Sequence, residues 1–251
     1  MGVPLPQELA DKIIDEVAKD PVLRTLIITL RACSLVSRAW VHRSQKHLFS
    51  KVVFEGTNFD YWCSDVRPGK DGPSRHVTHL HCDAGYPDVY PDVFVDHGEY
   101  FSYFTNLQTF HLSGAGLHQV EYVFTFMRLR STVRSLALEK CKMDINDLVT
   151  FLRPFTNLES LSIWDPLVPH TKKLEKRVRL PTLGGKLDLK LVPHPGVSSF
   201  LRELLLLPLA FCDIALRDHI GLAGEVNQLV TASRKTLTTL RFLSCKFTSL
   251  H

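Results

Sequence analysis

Apolar residues near the start of the chain recur at helical spacing. Leu9, Ile13, Ile14 and Val17 fall at i, i+4, i+5 and i+8, while Asp11, Lys12, Asp15 and Glu16 occupy the other side, which predicts an amphipathic helix. Pro6 suits its first turn, where the missing N–H would go unbonded anyway, and Asp20-Pro21 ends it. A second helical stretch carries Leu23, Leu26, Ile27 and Leu30 and runs on through Ala32, Cys33, Leu35 and Val36 to Trp40, with Val41, Leu48 and Phe49 prolonging the pattern. So short a segment cannot bury this much apolar surface by itself. The pattern therefore implies an external partner.

Past Lys51-Val52-Val53-Phe54, which reads as a strand, and a Gly- and Pro-rich connection, the period changes. A phrase of the form apolar-x-x-apolar-x-apolar recurs as Val77/Leu80/Cys82, Leu107/Phe110/Leu112, Val133/Leu136/Leu138, Leu158/Leu161/Ile163, Leu187/Leu189, Phe211/Ile214/Leu216 and Leu237/Leu240/Phe242. Its spacing, about 25 to 30 residues, is that of leucine-rich repeats. Cys141 and Cys245 stand where that consensus has Asn or Cys, and Phe104-Thr105-Asn106-Leu107 returns as Phe155-Thr156-Asn157-Leu158. Helix-compatible pieces at 118–129, 144–155, 198–207 and 222–235 lie between the phrases, the second with Asp144 as its N-cap and the third capped by Ser198 or Ser199. The predicted fold class is α/β: a helical module over residues 1–50, a connecting segment over 51–75 and a solenoid over 76–251, with parallel strands on its concave side and helices or turns on its convex side. Residues 165–181, with three prolines, form a longer insertion, and the chain stops at Leu250-His251 directly after a strand phrase. A solenoid needs polar-faced ends, so a shortened product, or a partner over that end, is expected.

The opening residues also resemble a known family. Leu5-Pro6-x-Glu8-Leu9-x-x-x-Ile13-Ile14-x-x-Val17, followed by Leu30-Arg31-Ala32-Cys33-Ser34-Leu35-Val36-Ser37-Arg38-Ala39-Trp40 and His47-Leu48-Phe49, is similar to an F-box of the kind abundant in mushroom-forming fungi. The resemblance implies a three-helix motif that docks on the adaptor subunit, and through it the cullin, of SCF-type ubiquitin ligases. It assigns Leu5, Pro6, Ile13, Ile14 and Val17 to the adaptor, and has Leu30, Val36 and Trp40 pack the helices and complete the surface. Relatives pass from the Asp-Pro break to the Leu-Arg-Ala-Cys phrase within a few residues. Here residues 22–29 intervene, which lengthens the second helix or shifts its register.

If the repeat phrases are strands, alternate residues face outward. One row is His81, His111, Ala137, Ser162, Asp188, Ala215 and Arg241. A second is Asp83, Ser113, Glu139, Trp164, Lys190, Arg217 and Leu243, and a third is His79, Thr109, Ser135, Ser160, Lys186, Asp213 and Thr239. Aromatic residues and arginine dominate binding hot spots, so Trp164 with Glu139, Lys190 and Arg217 forms the candidate recognition patch for a protein substrate, flanked by His81, His111 and Arg241. Alternatively, Trp164 packs under the proline-rich insertion. His79, His81 and His111 could offer three imidazoles to a zinc ion, but only Asp83 stands near to support them; no metal or cofactor is expected.

Composition narrows the class further. Thirty basic and 26 acidic residues give a net charge of +4, too small and scattered for a nucleic-acid surface. The dense basic run 172–179 reads as a solvated linker. Six scattered cysteines without a CxxC pair or signal peptide point to a reduced intracellular compartment, cytoplasmic or nuclear. No apolar run reaches the length of a membrane span, so a soluble protein is expected. G-x-S-x-G, HExxH and P-loop motifs are missing, and Ser113-Gly114-Ala115-Gly116 fits a turn. The expected function is that of a non-catalytic substrate receptor of a ubiquitin ligase. The alternative is a leucine-rich-repeat interaction scaffold with no ligase role.

Overall fold

The computed structural model describes residues 5–19, 23–55, 57–66, 72–85, 93–118, 125–129, 132–168, 183–191, 195–207, 209–217 and 223–243. Three helices come first: α1 (Gln7–Val17), α2 (Leu23–Val36) and α3 (Arg38–Leu48). Ala10, Ile14 and Val17 on α1 turn toward Leu26, Leu30 and Cys33 on α2, and Trp40 and Leu48 on α3 close the small core. Residues 23–36 form one uninterrupted helix, with 23–29 as its first two turns. Ser37, extended, separates α2 from α3; the break expected at Asp20-Pro21 lies outside the described residues.

A partly exposed charge network ties α1 to α3. Asp15 Oδ1 accepts from Arg43 Nε at 2.7 Å and lies 2.7 Å from His47 Nε2, while Oδ2 accepts from Arg43 Nη2. These bonds, Arg43 first and His47 second, hold the Asp15 carboxyl well below the usual carboxylate range. A depressed folded pKa means that the stabilisation is complete above the unfolded value of about 4 and is lost as pH falls below it. Asp15→Asn should therefore cost about 1–2 kcal/mol at pH 7, discounted for partial exposure. In thermal melts its deficit should shrink toward pH 3.

Eight parallel strands follow: β1 (Lys51–Glu55), β2 (His79–Asp83), β3 (Thr109–Ser113), β4 (Ser135–Glu139), β5 (Ser160–Trp164), β6 (Leu183–Lys190), β7 (Leu209–Arg217) and β8 (Thr239–Leu243). They lie in the sheet in chain order, so each unit adds one strand to the growing edge. The fold is α/β. The sheet begins at Lys51, inside the stretch expected as a connection. Between strands run α4 (Thr57–Tyr61), α5 (Val93–Asp96), α6 (Ile145–Leu152), α7 (Pro195–Leu204) and α8 (Ala223–Ser233), with short 3-10 turns. Asp144 caps α6 as a full capping box with Asp147. α7 starts at Pro195, ahead of the serines expected to cap it, because proline fits a first helical turn. Of the helix expected at 118–129, residues 119–124 lie outside the described set, as do 169–181 of the insertion and 244–251.

Strand alternation sends Leu80, Cys82, Phe110, Leu112, Leu136, Leu138, Leu161 and Ile163 inward, each 0–1 % exposed. Rings from β1 to α6 continue that core as one aromatic chain, from Phe54 and Phe59 through Phe101 and Phe126 to Phe151. Buried Cys141 donates to the carbonyls of Leu112 and Glu139, stitching neighbouring units. Burial pushes its thiol up to about 12 and Cys82 well up, leaving both as packing groups. Strands β3, β4 and β5 end alike, at Gly114, Lys140 and Asp165, all with positive φ. Each of these residues sends its N–H to the next strand's carbonyl, at Glu139, Trp164 and Lys190. The helical module is docked onto this array. Thr78 and His79 donate their N–H groups to Ser50 O, His42 meets His76 edge-on, and Phe49 meets Trp62. Among the described residues no helix is long and apolar enough to cross a membrane.

Candidate functional site

Two surfaces could bind a macromolecule. The first is the outer side of the helical module. Amphipathic α1 has apolar residues on more than one side: Ala10, Ile14 and Val17 turn inward, whereas Leu5, Leu9 and Ile13 form a stripe 44–48 % exposed. On α2, Leu35 (85 %), Val36 (64 %) and Ile28 (59 %) are exposed. Gln7 Nε2 donates to Ala39 O at 3.2 Å, which brings the start of α1 beside the α2–α3 junction.

This corrects part of the expected docking set. Ile14, expected to face the adaptor, is fully buried in the inter-helix core, and Val17 is partly buried against it; Leu30 and Trp40 pack between the helices, the packing role the resemblance gave them. Leu5, Pro6, Ile13 and Val36 do reach the surface. The resemblance left out Leu9 and Leu35 as contact residues. For Leu9 the signal was available in its i, i+4 relation to Leu5 and Ile13.

The second surface is the open face of the sheet, opposite the helices. Strand register aligns the three expected rows residue for residue: His81 with His111, Ala137, Ser162, Asp188, Ala215 and Arg241, and Asp83 with Ser113, Glu139, Trp164, Lys190, Arg217 and Leu243. β1 adds Lys51, Val53 and Glu55 to the three rows. A bulge at Gly185/Lys186, with Cys212 as the extra residue on β7, keeps β6 and β7 in phase.

Over β2–β5 this face is a π-rich cluster. The His81 and His111 rings stack with centroids 4.0 Å apart and planes 7° apart. His81 Nε2 lies 3.2 Å from Ser113 Oγ, and His111 Nε2 3.2 Å from Glu139 Oε2. Trp164 meets His111 edge to face at 5.6 Å. Since β3 and β5 are two strands apart, the indole must lie across β4, where the small side chain of Ala137 leaves room. Burial, reinforced by neighbouring His81, lowers the His111 pKa against the pull of Glu139, so the ring is neutral at pH 7.

Zinc chemistry finds no support in this arrangement. Two parallel rings aim their nitrogens side by side instead of at one point, and His79 sits in another row with its Nδ1 2.9 Å from Thr78 Oγ1. Among the described residues no three His, Cys, Asp or Glu side chains are grouped to hold a metal.

Over β5–β8 the face carries ion pairs, each reaching back one strand: Lys190 to Asp165 (2.9 Å), Arg217 to Asp188 (2.9–3.2 Å) and Arg241 to Asp213 (2.9–3.2 Å). Trp164, Glu139, Lys190 and Arg217 are thus neighbours in one row, but the two cations already face carboxylates. At the opposite end of the strands, the twin Thr-Asn phrases line an open polar groove of about 550 Å³ with Arg134 and Glu159. Asn106 there donates to Arg75 O, a stitch between units. The repeated phrase was the sequence signal for this groove.

No protein-family model matches the chain, and no curated protein or solved structure matches it.

Proposed function

We propose that the protein is a substrate-recognition subunit of an SCF-type cullin-RING ubiquitin ligase. Its helical module serves as an F-box that docks the adaptor, and its sheet serves as the strand side of a leucine-rich-repeat solenoid that holds a protein substrate. One observation carries this reading: a three-helix module keeps its own core yet leaves Leu5, Leu9, Ile13, Leu35 and Val36 exposed. Contiguous exposed apolar residues of this kind mark an interaction site. The family resemblance of residues 5–49 names the occupant.

The chain's contribution to ubiquitin transfer is then proximity. Adaptor and cullin hold one end, the sheet holds the substrate, and the substrate's effective concentration near the charged conjugating enzyme rises. No residue forms a thioester, and no cofactor, nucleic acid or membrane takes part. The complex works inside the cell, in cytoplasm or nucleus.

Calorimetric titration with the purified adaptor tests this. The wild type should bind one to one, and Leu9→Asp/Leu35→Asp, both at exposed sites, should weaken binding at least about 100-fold with an unchanged melting midpoint. A wild type that gives no heat with the adaptor would instead leave a repeat scaffold without a ligase role, its helical module only an end piece.

A further inference from the structure

The open face of the sheet is electrically polarised along its length. Histidines aside, the rows on β1–β4 carry one cation, Lys51, against Glu55, Asp83 and Glu139. On β5–β8 the balance reverses, with Lys186, Lys190, Arg217 and Arg241 against Asp188 and Asp213. The flanking turn residues Lys140 and Asp165 remove one charge from each half and leave both signs in place. The whole chain is net +4, so an acidic half-face runs against the general charge of the molecule. Trp164 stands at the boundary, on the uncharged strand β5.

Side chains on this face are placed to be met. Lys51, Glu55, Lys186 and Arg241 are exposed. Glu139 has His111 Nε2 at 3.2 Å and its nearest lysine, Lys140, at 3.8 Å. Complementary potentials select partners and fix their orientation, and a like charge in the wrong half is penalised.

We infer that the segment bound on this face is itself bipolar, with Arg or Lys over β1–β4, Glu or Asp over β6–β8, and its middle across Trp164. Strands about 4.8 Å apart put the two charge centres about 20 Å from each other, so about six extended residues separate the partner's basic and acidic groups. This deepens the substrate-receptor reading and is decided separately from it, since the adaptor titration addresses the helices and this inference the sheet.

The test uses the full chain and three fluorescein-labelled peptides sharing the spacer Gly-Ser-Gly-Ser-Gly-Ser. One carries Arg-Arg before it and Glu-Glu after it, one Arg-Arg at both ends, and one Glu-Glu at both ends. Fluorescence anisotropy at low salt should rank the bipolar probe about tenfold tighter than either uniform probe. Glu55→Lys/Glu139→Lys should shift the preference to the all-acidic probe, and Lys186→Glu/Arg241→Glu to the all-basic one. A wild type that binds a uniform probe as tightly as the bipolar one overturns the inference. So does an unchanged ranking in variants that keep the wild-type melting midpoint.

Discussion

Phe126→Ala should destabilise the protein by about 3–5 kcal/mol, the cost of emptying a fully buried aromatic site in a packed core. Phe126 has no exposed surface. Its ring meets Phe101 at 5.0 Å, Phe110 at 5.1 Å, Phe94 at 6.3 Å and Phe151 at 6.4 Å. It therefore joins the layers around β3 to helix α6 in the following unit. In an array where each unit contacts only its neighbours, such a joint carries the cooperativity of the whole. Urea denaturation should show the midpoint falling. Tyr61→Ala, at a residue 66 % exposed, should cost less than about 0.5 kcal/mol.

Gly114→Ala should cost about 3 kcal/mol, from backbone alone. Gly114 ends β3 with φ +69°, and a Cβ there would lie 1.7 Å from the carbonyl oxygen of Gly85. The left-handed conformation already disfavours a side chain, and the obstacle is backbone that cannot rotate away. Gly224 in α8 is the opposite case, with nothing within 4 Å of its would-be Cβ. Gly224→Ala should stabilise by up to about 0.5 kcal/mol, since Gly224 lies in the first turn, where the preference for alanine is weaker than in a helix interior. Thermal melts of the two variants should move in opposite directions.

The strand array was legible because its information is local and repeated. An apolar phrase at constant phase fixes which residues enter the core, and the three outward rows then follow from alternation, as the register of β2 to β8 bears out. Asp144 was readable as a cap for the same reason, being one polar residue ahead of a helical pattern. Where apolar residues fall on two sides of a helix, as on α1, spacing does not say which side is inward. The family resemblance alone put Ile14 on the expected docking surface and left Leu9 off it. Lys51–Phe54 was readable as a strand, but β1 lacks a full repeat phrase, so its place as the first strand of the sheet was not. Positive φ at Lys140 has no residue-type signal and at Asp165 only the general tolerance of Asp for that region, since glycine marks only Gly114 among the three equivalent turns. The His81–His111 stack and the reach of Trp164 over Ala137 depend on register between strands 25 to 30 residues apart. A single strand's sequence does not contain that relation.

Hydrogen exchange of the protein with and without the purified adaptor tests the central claim most directly. Docking through the helical module predicts slowed exchange in α1 and in the part of α2 bearing Leu35 and Val36, with the eight strands and their open face unchanged. Protection confined to the sheet, or none anywhere at saturating adaptor, would contradict the division of the chain into a docking module and a separate recognition face.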